Sequence, residues 1–102
     1  MKFEVTDRFR ADRRRLSDEE RAVVDRHLPD FVAACDRFSA DPAATWPAGL
    51  RVRDVEGAPG VLEVTFNFSG PDLRATFEWV RIGAELAVRW RRVGGHRIFR
   101  EP

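Results

Sequence analysis

One stretch near the end of this sequence brings together side chains that could handle a phosphate. In Leu86-Ala87-Val88-Arg89-Trp90-Arg91-Arg92-Val93-Gly94-Gly95-His96-Arg97-Ile98-Phe99-Arg100, the apolar residues Leu86, Val88 and Trp90 alternate with Ala87, Arg89 and Arg91. The alternation breaks at two glycines, and His96 follows at once. Guanidinium groups on one strand face bind oxyanions through a planar fork. An imidazole changes charge near neutral pH and can move a proton. Phe99, three residues on, offers a ring for stacking. The same letters suit an ordinary edge strand whose arginines pair with carboxylates on a solvated face, and both readings stay open at this level.

Position depends on the strands. Leu62, Val64, Phe66 and Phe68 alternate with Glu63, Thr65 and Asn67; after Ser69-Gly70-Pro71-Asp72, Leu73, Ala75, Phe77 and Trp79 alternate with Arg74, Thr76 and Glu78. A second turn near Arg81-Ile82-Gly83-Ala84 leads into the arginine-rich strand. Three such runs joined by short turns predict an antiparallel meander, apolar on one face and polar on the other. Trp90 then belongs to the core with Leu86 and Val88. A simple register sets Asn67, Arg74 and Arg91 in one row and Thr65, Thr76 and Arg89 in the next, with Glu63 and Glu78 in a third. Arg74, Arg89 and Arg91 would converge where Gly94-Gly95-His96 leaves the sheet. Adjacent arginines repel unless an anion joins them, and that anion is Glu63 and Glu78 or a ligand phosphate.

The preceding half supplies cover for the apolar face. Lys2 to Val5 reads as a short strand, and Thr6 or Asp7 can cap a helix to about Leu16, with Phe9 and Leu16 on one face. Ser17-Asp18-Glu19-Glu20 is a capping box. It opens a helix with Val24, Leu28, Phe31, Cys35 and Phe38 on one stripe, ending near Ser39. Pro29 inside that pattern predicts a kink or two shorter helices. His27 suits a surface or cap role, and Trp46, in the loop from Asp41 to Gly49, can close the core. Leu50 to Val55 is a possible short strand. The expected class is α+β: an N-terminal strand and a two-helix hairpin packed on one face of an antiparallel β-sheet, one domain over residues 1–102.

The bulk composition narrows the function classes. A chain of 102 residues with 43% hydrophobic and 34% charged residues is globular in composition and buries about two thirds of its unfolded surface. No apolar run reaches the roughly 18 residues of a spanning helix, and the opening residues have no signal-peptide core, so a cytoplasmic, membrane-free protein is expected. Cys35 is alone, which gives neither a disulfide framework nor a thiolate cluster. The charge is +1 from 18 basic and 17 acidic residues. The weak net field makes nucleic-acid binding a matter of local arrangement.

The opening with Phe9 and Leu16, then Gly60-Val61-Leu62-Glu63-Val64, Arg74-Ala75-Thr76-Phe77 and Val93-Gly94-Gly95-His96-Arg97-Ile98-Phe99 resemble the RelE/ParE toxin superfamily of bacterial type II toxin–antitoxin systems, over nearly the whole chain. The resemblance implies a RelE-like fold and a ribosome-associated mRNA endoribonuclease that needs no metal or cofactor. It implies a ribose 2′-hydroxyl attacking its adjacent phosphate. On that likeness Arg74 corresponds to the arginine that contacts the scissile phosphate, His96 to a proton-transfer histidine and Phe99 to the terminal aromatic. Glu63 is the one carboxylate offered as a second proton acceptor, with Arg89, Arg91 and Arg97 as further RNA contacts. The implied partners are an antitoxin encoded by a neighbouring gene and mRNA on the ribosome. The chain departs from RNA-cleaving members in having no tyrosine and in carrying Glu63 where several relatives have a basic residue. Those departures suit the alternatives: a ParE-like or degenerate toxin that binds a target such as DNA gyrase, or a non-toxic partner-binding module.

Overall fold

The structure, a computed structural model, describes residues 1–47, 50–66 and 72–102. Strand β1 (Lys2–Val5) is followed by helices α1 (Asp7–Arg15) and α2 (Asp18–Ala40). Strands β2 (Arg51–Asp54), β3 (Val61–Thr65), β4 (Arg74–Ile82) and β5 (Glu85–Gly94) come next, and a 3-10 helix over His96–Arg100 closes the chain. The strands form one sheet in the order β1-β5-β4-β3-β2. The expected α+β class holds: two helices pack on a sheet that carries an N-terminal strand. The sheet is mixed, since β1 runs parallel to β5 while the remaining pairs are antiparallel.

Local chemistry sets the helix starts. The Thr6 hydroxyl accepts the Phe9 N–H at 3.1 Å and caps α1. The capping box forms as expected, with Ser17 Oγ taking the Glu20 N–H at 3.1 Å and Glu20 taking the Ser17 N–H at 2.9 Å. Pro29 does not divide the second helix, which runs unbroken from Asp18 to Ala40. Pro29 lies on the exposed side, so the carbonyl its ring leaves unbonded, that of Asp25, faces solvent.

Phe31 is the centre of the core. It is fully buried, with Trp90 at 4.7 Å, Phe77 at 5.1 Å edge-on and Trp46 stacked at 5.5 Å. Val24, Ala34 and Cys35 from α2 and Val64, Ala75, Phe77 and Val88 from the strands complete this layer. Trp46 closes the core from its loop as expected, and Cys35 is buried. His27 bonds the Val23 carbonyl through Nδ1 at 2.8 Å, a local helix contact.

The register differs from the simple alternation. Thr65 pairs with Arg74, Glu63 with Thr76 and Val61 with Glu78. Thr76 pairs with Arg92 but Phe77 with Trp90, so Arg91 is the extra residue of a β-bulge. The predicted rows are therefore corrected: Arg74 lies opposite Gly94 rather than Arg91, and Arg89 lies opposite Glu78 rather than Thr76. Asn67 falls outside the described residues.

β1 stops at the Val5–Trp90 pair, which leaves the last residues of β5 as an edge. The start of α1 takes the place of a strand there. The Thr6 N–H donates to the Trp90 carbonyl at 3.0 Å and its hydroxyl to the Arg91 carbonyl at 2.7 Å. Asp12 Oδ2 accepts the buried Val93 N–H at 3.2 Å. These bonds satisfy an edge that would otherwise template pairing with another chain.

Candidate functional site

Past Gly94 the chain turns back onto the sheet. A side chain at Gly94 would bring its Cβ to 3.2 Å from Ile98 Cγ2, so glycine lets the closing 3-10 helix approach and bury Ile98. This fold-back carries His96 and Phe99 over the end of β4. The Phe99 ring meets His96 edge-on, with centroids 5.1 Å apart at 85°. The Arg74 guanidinium stands 5.5 Å from the Phe99 ring centre, within cation–π range. Arg74, from the start of β4, thus joins His96 and Phe99 of the closing helix in one partly open cluster.

Arg74 is held from below. Its Nε donates to Asp72 Oδ1 at 2.8 Å and its Nη1 lies 3.6 Å from Glu63 Oε1. Glu63 is 4% exposed, and its carboxylate also takes the Arg53 guanidinium. It therefore faces arginines rather than open space. An anion reaching the cluster from outside meets His96, Phe99 and the outer edge of Arg74, with Glu63 behind them.

The remaining sequence candidates lie elsewhere. Arg89 bridges Glu4 and Glu78, and its hydrogen bonds to Glu4 first and Glu78 second hold its pKa above the ordinary arginine value. Arg91 donates Nη1 to Glu78 at 3.1 Å and Nε to the Pro102 backbone oxygen at 2.9 Å. Arg89 and Arg91 therefore form an ion-pair row on the open face, as the plainer reading of the strand had it. Arg97 is exposed and makes no ion pair among the described residues. It lines a cleft of about 480 Å³ between α1 and the closing helix, together with Arg8, Arg15, Arg92 and Arg100.

Two important residues escaped the sequence reading. Asp12 is buried and binds Arg92 through both oxygens, at 2.6 and 3.1 Å. That pairing raises the Arg92 pKa, its hydrogen bonds to Asp12 being the largest cause. The signal was present, since Asp12 shares the α1 face of Phe9 and Leu16, where a carboxylate needs a partner. Arg92 was marked by the change in apolar spacing from Val88-x-Trp90 to Trp90-x-x-Val93, which is what one extra residue in a strand produces.

No family model, curated protein or solved structure matches the chain. Function is therefore argued from the residues. Two arrangements offer chemistry: the Arg74, Phe99 and His96 cluster, and the arginine row along β5.

Proposed function

We propose that this chain is a RelE/ParE-like toxin that cleaves mRNA on the ribosome without a metal, with Arg74, Phe99 and His96 as its RNA-contacting group. The carrying observation is the convergence of these three residues, with Arg74 5.5 Å from the Phe99 ring and His96 5.1 Å beyond. In this reading Arg74 neutralises the scissile phosphate, Phe99 stacks on an adjoining base and His96 moves the proton. The 2′-oxygen forms a bond to phosphorus as the bond to the 5′-oxygen breaks. The proton leaves the 2′-hydroxyl and a proton reaches the departing oxygen. Glu63 acts here as a positioning residue that aims Arg74. An antitoxin from a neighbouring gene would cover the cluster.

One observation favours a second reading. With Glu63 behind its two arginines, His96 is the one side chain of the exposed cluster left to serve as acid or base. A ParE-like toxin that binds its target, such as gyrase, and leaves RNA whole needs no second group. Induction in a bacterial host separates the two. Growth arrest relieved by Arg74→Ala and by His96→Ala supports the RNA site. Arrest that persists in His96→Ala while messages stay intact supports the binder, and absence of arrest from the unmodified chain removes both.

A further inference from the structure

The segment after the closing helix lies across the open face of the sheet, and its oxygens are held by an unusual set of donors. The Pro102 backbone oxygen accepts from Arg91 Nε at 2.9 Å and, at the long limit of 3.5 Å, from the Thr76 hydroxyl. The Glu101 backbone oxygen accepts from Arg92 Nη1 at 3.0 Å, and the Glu101 carboxylate from Arg8 Nη2 at 2.6 Å. Thr76 is fully buried, a hydroxyl on the polar face that among the described residues donates only to this segment. A space of about 290 Å³ remains beside Pro102, walled by Arg8, Arg89, Arg91 and Arg92.

The charges around this space balance only while Glu101 is in place. Arg92 is matched by Asp12, Arg89 by Glu4 and Glu78, Arg91 by the same Glu78, and Arg8 by Glu101. Four guanidinium groups face four carboxylates. If the segment lifts, departure of the Glu101 carboxylate leaves Arg8 without its partner, and three donors (Arg91 Nε, Arg92 Nη1 and Thr76 Oγ1) lose the oxygens of Glu101 and Pro102 that they point at. A tetrahedral oxyanion supplies both the missing charge and several oxygens from one centre.

We propose that Thr76, Arg91 and Arg92, completed by Arg8, form a binding cradle for a phosphate-type oxyanion, and that Glu101 and Pro102 occupy it as an internal mimic of that anion. The ligand class is a phosphate monoester or diester carrying one or two charges. Binding requires the closing segment to lift, so affinity is set by competition between ligand and Glu101. This site is separate from the Arg74 cluster and does not depend on the toxin reading.

The test is a titration of the full chain with inorganic phosphate, followed through the arginine Nε–H resonances by NMR at constant ionic strength, with chloride as the control anion. Dimethyl phosphate, titrated in parallel, distinguishes a diester site from a monoester site. Glu101→Ala removes the competing charge and leaves every cradle residue in place. It should tighten phosphate binding by about tenfold, with the largest shift at Arg91. Arg91→Ala in the Glu101→Ala background should abolish the effect, and Thr76→Val should weaken it if the Arg91 variant does not fold. Equal affinity in the unmodified chain and Glu101→Ala would overturn the proposal, as would binding that survives loss of Arg91 or is left unweakened by Thr76→Val, or a response to chloride equal to that to phosphate.

Discussion

The two faces of the sheet are built on opposite principles. The face toward the helices is dry and aromatic, with Phe31, Phe77 and Trp90 in mutual contact and Val64, Ala75 and Val88 fully covered. The other face is a chain of charges, from Arg53 through Glu63 to Arg74 and from Glu4 through Arg89 and Glu78 to Arg91. The first holds the fold together by removing apolar area from water. The second contributes little to stability per pair, because most of its members are solvated, and it is where ligand chemistry can be placed without harm to the core. Asp12 stands between the two regimes: buried like the first face, charged like the second.

That contrast can be broken by substitution, and the largest effect belongs to the helical face. Phe31→Ala should lower unfolding free energy by about 3–5 kcal/mol in urea titration; a loss below about 1 kcal/mol would mean that Phe31 is not the centre of the core. Asp12→Ala should cost about 3 kcal/mol, since it leaves Arg92 without its partner and the Val93 N–H without an acceptor. Asp12→Asn can keep an acceptor for Val93 and should recover part of that loss.

Cys35 reports on the dryness of the helical face through pH. Burial, aided by Asp36, pushes its thiol from the ordinary value of 9.0 up to about 12. The unfolded thiol therefore ionises first. Its contribution to stability is intact below pH 9 and falls as pH rises from 9 toward 12, by at most about 1.4 kcal/mol per unit. The stability of Cys35→Ala should decline less steeply over that window in matched denaturation series. On the open face, Arg89→Ala should cost much less than Asp12→Ala, and less still in high salt, because the pairs it breaks are partly solvated. A loss as large as that of Asp12→Ala would erase the distinction between the two faces.

The sequence made the dry face legible and the charged face only in part. Val24, Phe31 and Cys35 on a helical stripe and Val64, Phe77 and Val88 on strand alternations are signals of period, which burial of one face enforces. The pairing of β1 with β5 had no local signal, because parallel pairing joins segments some 80 residues apart. That the second helix is not divided at Pro29 was not legible in propensity, which takes no account of which side of a helix faces solvent. The rows of charge were wrong because both pairings slip by two residues from the simple register, so that Thr65 faces Arg74 and Glu78 faces Arg89, and the bulge at Arg91 displaces the partners of Thr76 and Arg74 by one more. The meeting of Arg74, Phe99 and His96 depends on the fold-back at Gly94, a close approach that no spacing in the sequence announces.

The central claim is that Arg74, Phe99 and His96 act together on RNA. Mapping of mRNA 5′ ends after brief induction of the chain, beside the Arg74→Ala and His96→Ala variants at matched protein levels, tests it most directly. New ends inside translated messages with the unmodified chain, absent with either variant, are the predicted result. Unchanged ends with the unmodified chain, or cleavage by either variant equal to that by the unmodified chain, would contradict the account.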